Sequence, residues 1–207
     1  MDIGVNLVES YLRLAGYLTL TEFEVQGKGS DGHYTTLTDV DVVGLRTPGT
    51  VYVGDPHDEN DCGVLLIEDP VLLLEDGMVD VIVGEVKQGE ATINPGLKDH
   101  RVLHAVLRRL DWLYEVDLDE VVEALQKDWV HYGDARGGGV IRTRIVAFGR
   151  APESTLNIIN HTHMVRAMLG FFEKFEDALR PLQYKDPAPA LLRFLTKSGF
   201  EIYKPGP

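Results

Sequence analysis

The run Val79-Asp80-Val81-Ile82-Val83-Gly84-Glu85-Val86-Lys87 is apolar and β-branched for most of its length, then ends on an acid and a base two residues apart. Such a run, preceded by the turn formers Glu75-Asp76-Gly77, reads as a buried strand. Strand side chains alternate between faces, so Glu85 and Lys87 project together while Val86 points the other way. A second run, Thr38-Asp39-Val40-Asp41-Val42-Val43-Gly44-Leu45, has the same character and carries Asp39 and Asp41. If the two strands are neighbours, Asp41 joins Glu85 and Lys87 in an oxygen-lined cleft with an ammonium at its rim.

A hard divalent cation suits that donor set. Mg²⁺ keeps several of its waters and needs only one or two carboxylates. An ammonium beside metal-bound water can orient it and stabilise developing negative charge. Taken alone, a Glu-x-Lys pair is also what a solvated strand edge or a cross-strand ion pair looks like.

With the helical stretch Asn6-Leu7-Val8-Glu9-Ser10-Tyr11-Leu12 ahead of them, the two strands resemble the PD-(D/E)XK nuclease superfamily. In that family a glutamate-bearing helix precedes a strand with an aspartate, and a later strand carries Glu/Asp-x-Lys. The resemblance covers roughly the first half of the chain and rests on short motifs. It implies a restriction-endonuclease-like α/β fold, with a mixed central β-sheet flanked by helices. It also implies Mg²⁺-dependent phosphodiester hydrolysis, with DNA the favoured substrate and Mn²⁺ a substitute metal. By the same resemblance Asp41, Glu85 and the Val86 carbonyl are metal ligands, Lys87 orients the attacking water, and Glu9 is an accessory acid or second-metal ligand. Asp39 shares a strand face with Asp41 and stays open as the principal ligand. The stretch from Arg46 to Asp80 is long for the family pattern and reads as an insertion. The alternative function is a nuclease-like module that binds nucleic acid or a protein without cutting, since fold does not guarantee chemistry.

A chain of 207 residues with 44% hydrophobic content can build one well-cored domain. The expected core spans about residues 1–150, with a helical extension over about 151–207. The formal net charge of -13 argues against a generally nucleic-acid-binding surface, which needs lysine and arginine. Between Asp55 and Asp80 the acids are concentrated with no lysine or arginine, which leaves room for a basic face elsewhere. Cys62 is the sole cysteine, so no intrachain disulfide forms and a reducing compartment is expected. Neither a leader pattern nor a membrane-spanning apolar run is visible, so the expected location is cytoplasmic, with no membrane partner.

Periodicity places a first helix over Asn6 to Leu18 and a strand over Leu18 to Gln26. The loop Gly27-Lys28-Gly29-Ser30-Asp31-Gly32 follows, either a plain hairpin connection or a mobile loop that meets substrate. His57, Asp58, Asp61 and Cys62 lack the paired spacing of a zinc site and read as loop. A helix over Leu97 to Tyr114 puts Val102, Leu103, Val106, Leu107 and Leu110 on one side. Lys98, Arg101, His104, Arg108, Arg109 and Trp112 fill the other. Lys98, Arg101, Arg108 and Arg109 are the candidate nucleic-acid-binding stripe, with a solvated helix face the plain alternative.

Asp117 and Glu120 form a capping pattern for a helix over Leu118 to Lys127. The strand from Ile141 to Phe148 carries Arg142 and Arg144 on one face, turned toward phosphate or guarding an exposed edge. Helices are expected over His161 to Leu179 and Pro187 to Lys197. The Met and aromatic stripe of the first reads as core, with a homodimer or other protein partner as its second use. Asn160-His161-Thr162 matches a glycosylation acceptor by chance, and His161 and His163 are not spaced to share a helix face.

Overall fold

The structure is a computed structural model, and it describes residues 2–48, 60, 66–176 and 186–201. Val51-Tyr52-Val53, which reads in sequence as a short β or irregular piece, the four residues His57, Asp58, Asp61 and Cys62, and the end of the helix expected to reach Leu179 lie outside the described residues.

Helix α1 (Ile3–Leu14) starts earlier than periodicity suggests, because Asp2 caps it: the Asp2 carboxylate accepts from the Gly4 and Val5 amides. Strands β1 (Leu18–Lys28) and β2 (Tyr34–Arg46) form an antiparallel hairpin, and β3 (Val79–Glu90) pairs antiparallel with β2. Gly27 and Lys28 belong to β1, and the hairpin turn over residues 29–33 is closed by a hydrogen bond from the Gly29 amide to the His33 carbonyl. After β3 come a short 3-10 turn at Pro95–Lys98, helix α2 (His100–Leu107), a second 3-10 turn at Arg108–Leu113, and helix α3 (Leu118–Asp128). Strand β4 (Val130–Asp134) leads to β5 (Val140–Arg150), then β6 (Ile158–Asn160), α4 (His161–Lys174) and α5 (Pro187–Lys197). The fold is therefore α/β, with a mixed sheet ordered β1-β2-β3-β5-β4 and β6 beside the end of β5. Parallel neighbours need a crossover, and the segment carrying α2 and α3 supplies it between β3 and β5.

Each face of the sheet has its own apolar cluster. Val79, Val81 and Val83 pack with Val102, Leu103, Val106 and Leu107 of α2 and with Val121, Val122 and Leu125 of α3. On the other face, Ile82, Val146 and Phe148 pack with Val8, Tyr11 and Leu12 of α1 and with Met164, Met168 and Phe172 of α4. The Met and aromatic stripe is thus core. Helix α5 docks outside α1, where the Ala188 amide donates to Asn6 Oδ1 at 2.8 Å. Asn160 caps α4 through the Thr162 amide, so the formal glycosylation triplet is a helix start.

Arg142 and Arg144 require a correction. They lie on β5, an interior strand with β3 on one side and β4 on the other, and both are buried. Asp80 sits opposite Arg142 in the parallel register and holds both guanidiniums, at 2.5 Å from Arg142 Nε and 3.0 Å from Arg144 Nη2. Tyr17 donates to the same carboxylate at 2.6 Å, and the arginines also donate to the carbonyls of Leu72, Leu73 and Leu156. Neither arginine guards an edge or reaches phosphate. The stretch Val71 to Leu74, which reads in sequence as a short β or irregular piece, is irregular: it begins within a 3-10 turn, Pro70–Leu72, and its Leu72 and Leu73 carbonyls serve this network.

Burial alone would raise the Asp80 carboxyl, but Arg144 and Arg142 outweigh it and hold the group below the usual carboxylate range. Its stabilising contribution is complete above the carboxyl's unfolded-state value and disappears as pH falls through the lower folded-state value. Replacing Asp80 with Asn leaves two buried guanidiniums facing a neutral partner. Asp80→Asn is expected to cost about 3–5 kcal/mol in urea unfolding at neutral pH, and a cost below about 1 kcal/mol would show that the network is not a stability determinant.

Candidate metal and phosphodiester site

The backbone changes course where the two acid-bearing strands meet. Val42 belongs to the cluster under α1 and Val40 to the cluster on the other face, so the inward alternation switches sides at Asp41. In β1 the pairs Thr21 with Val42 and Phe23 with Val40 flank that point, and Glu22 between them adopts a left-handed φ of 50°. Such a backbone costs a non-glycine residue about 1–3 kcal/mol. Pairing between β2 and β3 runs from Arg46 only as far as Val42 opposite Gly84. Beyond it the Asp41 side chain takes over, accepting from the Val86 amide at 2.7 Å. A carboxylate thus stands where the next ladder acceptor would be.

Gly84 makes that approach feasible. A Cβ there would stand 2.5 Å from Val42 Cγ1 and 2.8 Å from Phe148 Cε2, so only glycine lets β2 and β3 close up beside the acid pair. Glu85 continues the row Val79, Val81, Val83 and is 4% exposed, with the Lys87 ammonium in contact with its Oε1. Asp41 is half-buried, and Asp39 is exposed. Burial pushes the Glu85 carboxyl up; Lys87 offsets part of this, while Asp41 and Asp39 add to it. Burial also raises Asp41, against the Val86 amide and Lys87, with Asp2 and Asp39 adding repulsion.

The structure therefore brings Asp41, Glu85, the Val86 backbone and Lys87 together. Glu9 has a different station: its Oε1 accepts from Thr19 Oγ1 of β1 at 3.2 Å. The α1-side carboxylate whose charge reaches Asp41 is Asp2, held by its capping bonds and by Gln88 Nε2 at 3.2 Å. Sequence reading passed over Asp2, although an aspartate directly before a helix is a recognisable capping signal.

The basic stripe is broken in two ways. The single helix expected over Leu97 to Tyr114 is a 3-10 turn, α2 and a second 3-10 turn, which alters the 100° spacing assumed for the stripe. Lys98 lies over the Trp129 ring, 5.0 Å from its centroid, and Arg101 pairs with Asp99 at 2.8 Å. Arg108 and Arg109 are exposed on the second 3-10 turn.

The donors suit Mg²⁺ in kind: two carboxylates, one of them already engaged by the Val86 amide, with repulsion between them that a cation would relieve. Among the described residues no group of three or more His, Cys, Asp or Glu side chains is arranged to hold a metal. Any ion here would thus rely on backbone and water for its other ligands. No helix among the described residues is long and apolar enough to cross a membrane. Comparison with family models, curated proteins and solved structures gives no match to this chain.

A carboxyl raised in the folded state disfavours folding where it is charged. That cost is present above the folded-state value and relieved as pH falls below the unfolded-state value. In chelator-treated protein, Glu85→Gln is therefore expected to raise the thermal midpoint at neutral pH, with the gain over wild type shrinking toward acid. A lowered midpoint at neutral pH would show that the contact with Lys87 outweighs burial and repulsion.

Proposed function

We propose that this protein is a divalent-metal-dependent phosphodiesterase acting on nucleic acid, with DNA the favoured substrate. One observation carries the reading: Asp41 of β2 accepts from the Val86 amide of β3, within electrostatic reach of Glu85, whose carboxylate holds the Lys87 ammonium. That arrangement sits at a point of backbone irregularity and raised carboxyl values, the kind of place where strain and unfavourable electrostatics are retained for chemistry. The order of these residues along the chain also supports the PD-(D/E)XK resemblance and the restriction-endonuclease-like arrangement it implies. The lone Cys62 favours a reducing, cytoplasmic setting.

Asp41, Glu85 and the Val86 carbonyl would hold the ion, which when bound supplies Lewis acidity toward a phosphoryl oxygen and lowers the pKa of water. Lys87 is anchored by Glu85, so its remaining protons are available to orient a water and to stabilise charge developing on the phosphoryl group. The Val86 amide fixes one oxygen of Asp41 and so sets the direction of the other. Substrate approach falls to a restricted basic surface, with Arg101, Arg108 and Arg109 its exposed members and Arg101 paired with Asp99, because most of this chain repels phosphate.

A second reading, a module that binds without cutting, is favoured by the engagement of Lys98 with Trp129 and Arg101 with Asp99, which leaves fewer cations for a substrate. The two readings separate on supercoiled plasmid, single-stranded DNA and RNA incubated with Mg²⁺ or Mn²⁺. Asp41→Ala and Lys87→Ala, checked for folding by circular dichroism, are each expected to slow cleavage by about 10²–10⁴-fold. Cleavage surviving in both folded variants, or its absence from the intact protein with either metal, would contradict the enzymatic reading.

A further inference from the structure

Where β3 begins, one corner of the molecule holds an exposed tryptophan among exposed arginines. In the 3-10 turn Arg108–Leu113 side chains three residues apart eclipse one another, which sorts the turn into three rows. Leu110 and Leu113 form the inward row and pack on the α2–α3 cluster. Arg109 and Trp112 form one outward row, Arg108 and Asp111 the other, and all four are exposed. Trp112 keeps 57% of its surface open, and among the described residues no ring or cation stacks on it. Arg136, also exposed, joins the corner from the β4–β5 loop, where its amide donates to the Leu113 carbonyl at 2.8 Å. Among the described residues Arg108, Arg109 and Arg136 form no ion pair, whereas Arg13, Arg101, Arg142 and Arg144 are each held by an aspartate.

We infer that this corner binds single-stranded nucleic acid, with the Trp112 indole as the stacking platform for a base and the three arginines on the flanking phosphates. An aromatic face combined with nearby cations is how unpaired strands are held with little regard to sequence, because every base offers a π face. A duplex offers no such face, since its bases are already stacked on one another. It would have to be held through phosphate alone, and three arginines on a chain of net charge -13 are a poor footprint for that. Asp111 and Glu115, both exposed nearby, narrow the favourable surface further, to the Arg109–Trp112 row and Arg136. A strip that narrow matches one strand.

The corner is separate from the acid pair. Val79 of β3 pairs with Ile141, directly after the β4–β5 loop, and Glu85 lies six residues further along the strand, roughly 20 Å away. The corner therefore holds a strand at a distance from the carboxylates. The inference rests on the nucleic-acid part of the proposed function and is independent of cleavage.

The test is titration of the full chain, in EDTA at low salt, with end-labelled oligothymidylate and oligouridylate of about 12 nucleotides, within the usual range of site sizes. Fluorescence anisotropy of the label reads binding, and tryptophan fluorescence reads stacking. Saturable binding with tryptophan quenching is expected, with a duplex of the same length bound at least ~10-fold more weakly. The two oligonucleotides distinguish DNA from RNA as the source of the strand. Trp112→Ala is expected to lower the affinity by about 5- to 100-fold, and Trp112→Phe to retain most of it while losing the quenching. Arg109→Ala and Arg136→Ala should each flatten the dependence of log K on log salt by about 0.7, the contribution of one single-strand phosphate. All of these positions are exposed, and circular dichroism checks the fold of each variant. Failure of the folded wild type to bind either oligonucleotide, unchanged affinity in Trp112→Ala, or equal affinity for the duplex would overturn the inference. Binding in EDTA without cleavage in Mg²⁺ or Mn²⁺ would support this site while removing the enzymatic reading.

Discussion

The parallel register between β3 and β5 is the constraint on which everything else rests, and Asp80 enforces it. A single carboxylate with no exposed surface faces Arg142 directly across the ladder and reaches Arg144 two residues along the same strand face. A one-residue slip would turn Asp80 to the apolar α2–α3 face and leave two guanidiniums without their anion. Such a network costs desolvation free energy and is not an efficient source of stability compared with an apolar core. What it contributes here is uniqueness: one alignment satisfies the charges, the Tyr17 hydroxyl and the carbonyls of Leu72, Leu73 and Leu156 together.

That alignment also sets where the acid-bearing end of β3 lies relative to β2. Five residues beyond Asp80, Glu85 emerges opposite the point at which β2 leaves the ladder, and the Asp41 carboxylate meets the Val86 amide. The same strand thus carries a fully compensated buried acid on one face and an incompletely compensated one on the other. Asp80 is held below the usual carboxylate range by two arginines, while Glu85 is pushed up by burial, which a single lysine only partly offsets and neighbouring acids reinforce. The contrast between these two environments separates a structural carboxylate from a candidate chemical one.

Much of this arrangement was legible in sequence because it is local. The β-branched runs around Asp41 and Glu85 gave strands, helical spacing gave α1 and α4, and Asp117 marked the start of α3. The pairing of the two acid-bearing runs stood only as a condition in the sequence, which the antiparallel β2–β3 ladder meets. What was not legible depends on neighbours distant in the chain. Arg142 and Arg144 looked like edge charges because nothing local reveals that β5 is interior or that Asp80 faces them. Glu9 sits by Thr19 and Asp2 nearer Asp41 for a similar reason: periodicity says which helix face is apolar, but the docking of α1 decides which acid approaches the β2–β3 junction. The basic stripe rested on an unbroken helix, and the 3-10 turns on either side of α2 removed that premise.

The central claim, that Asp41 and Glu85 hold a catalytic dication beside Lys87, is tested most directly by anomalous diffraction from crystals equilibrated with Mn²⁺. The account predicts a manganese peak within coordination distance of both carboxylates and of the Val86 carbonyl. Well-ordered Asp41 and Glu85 with no peak between them, at a Mn²⁺ concentration sufficient for any activity observed, would contradict it.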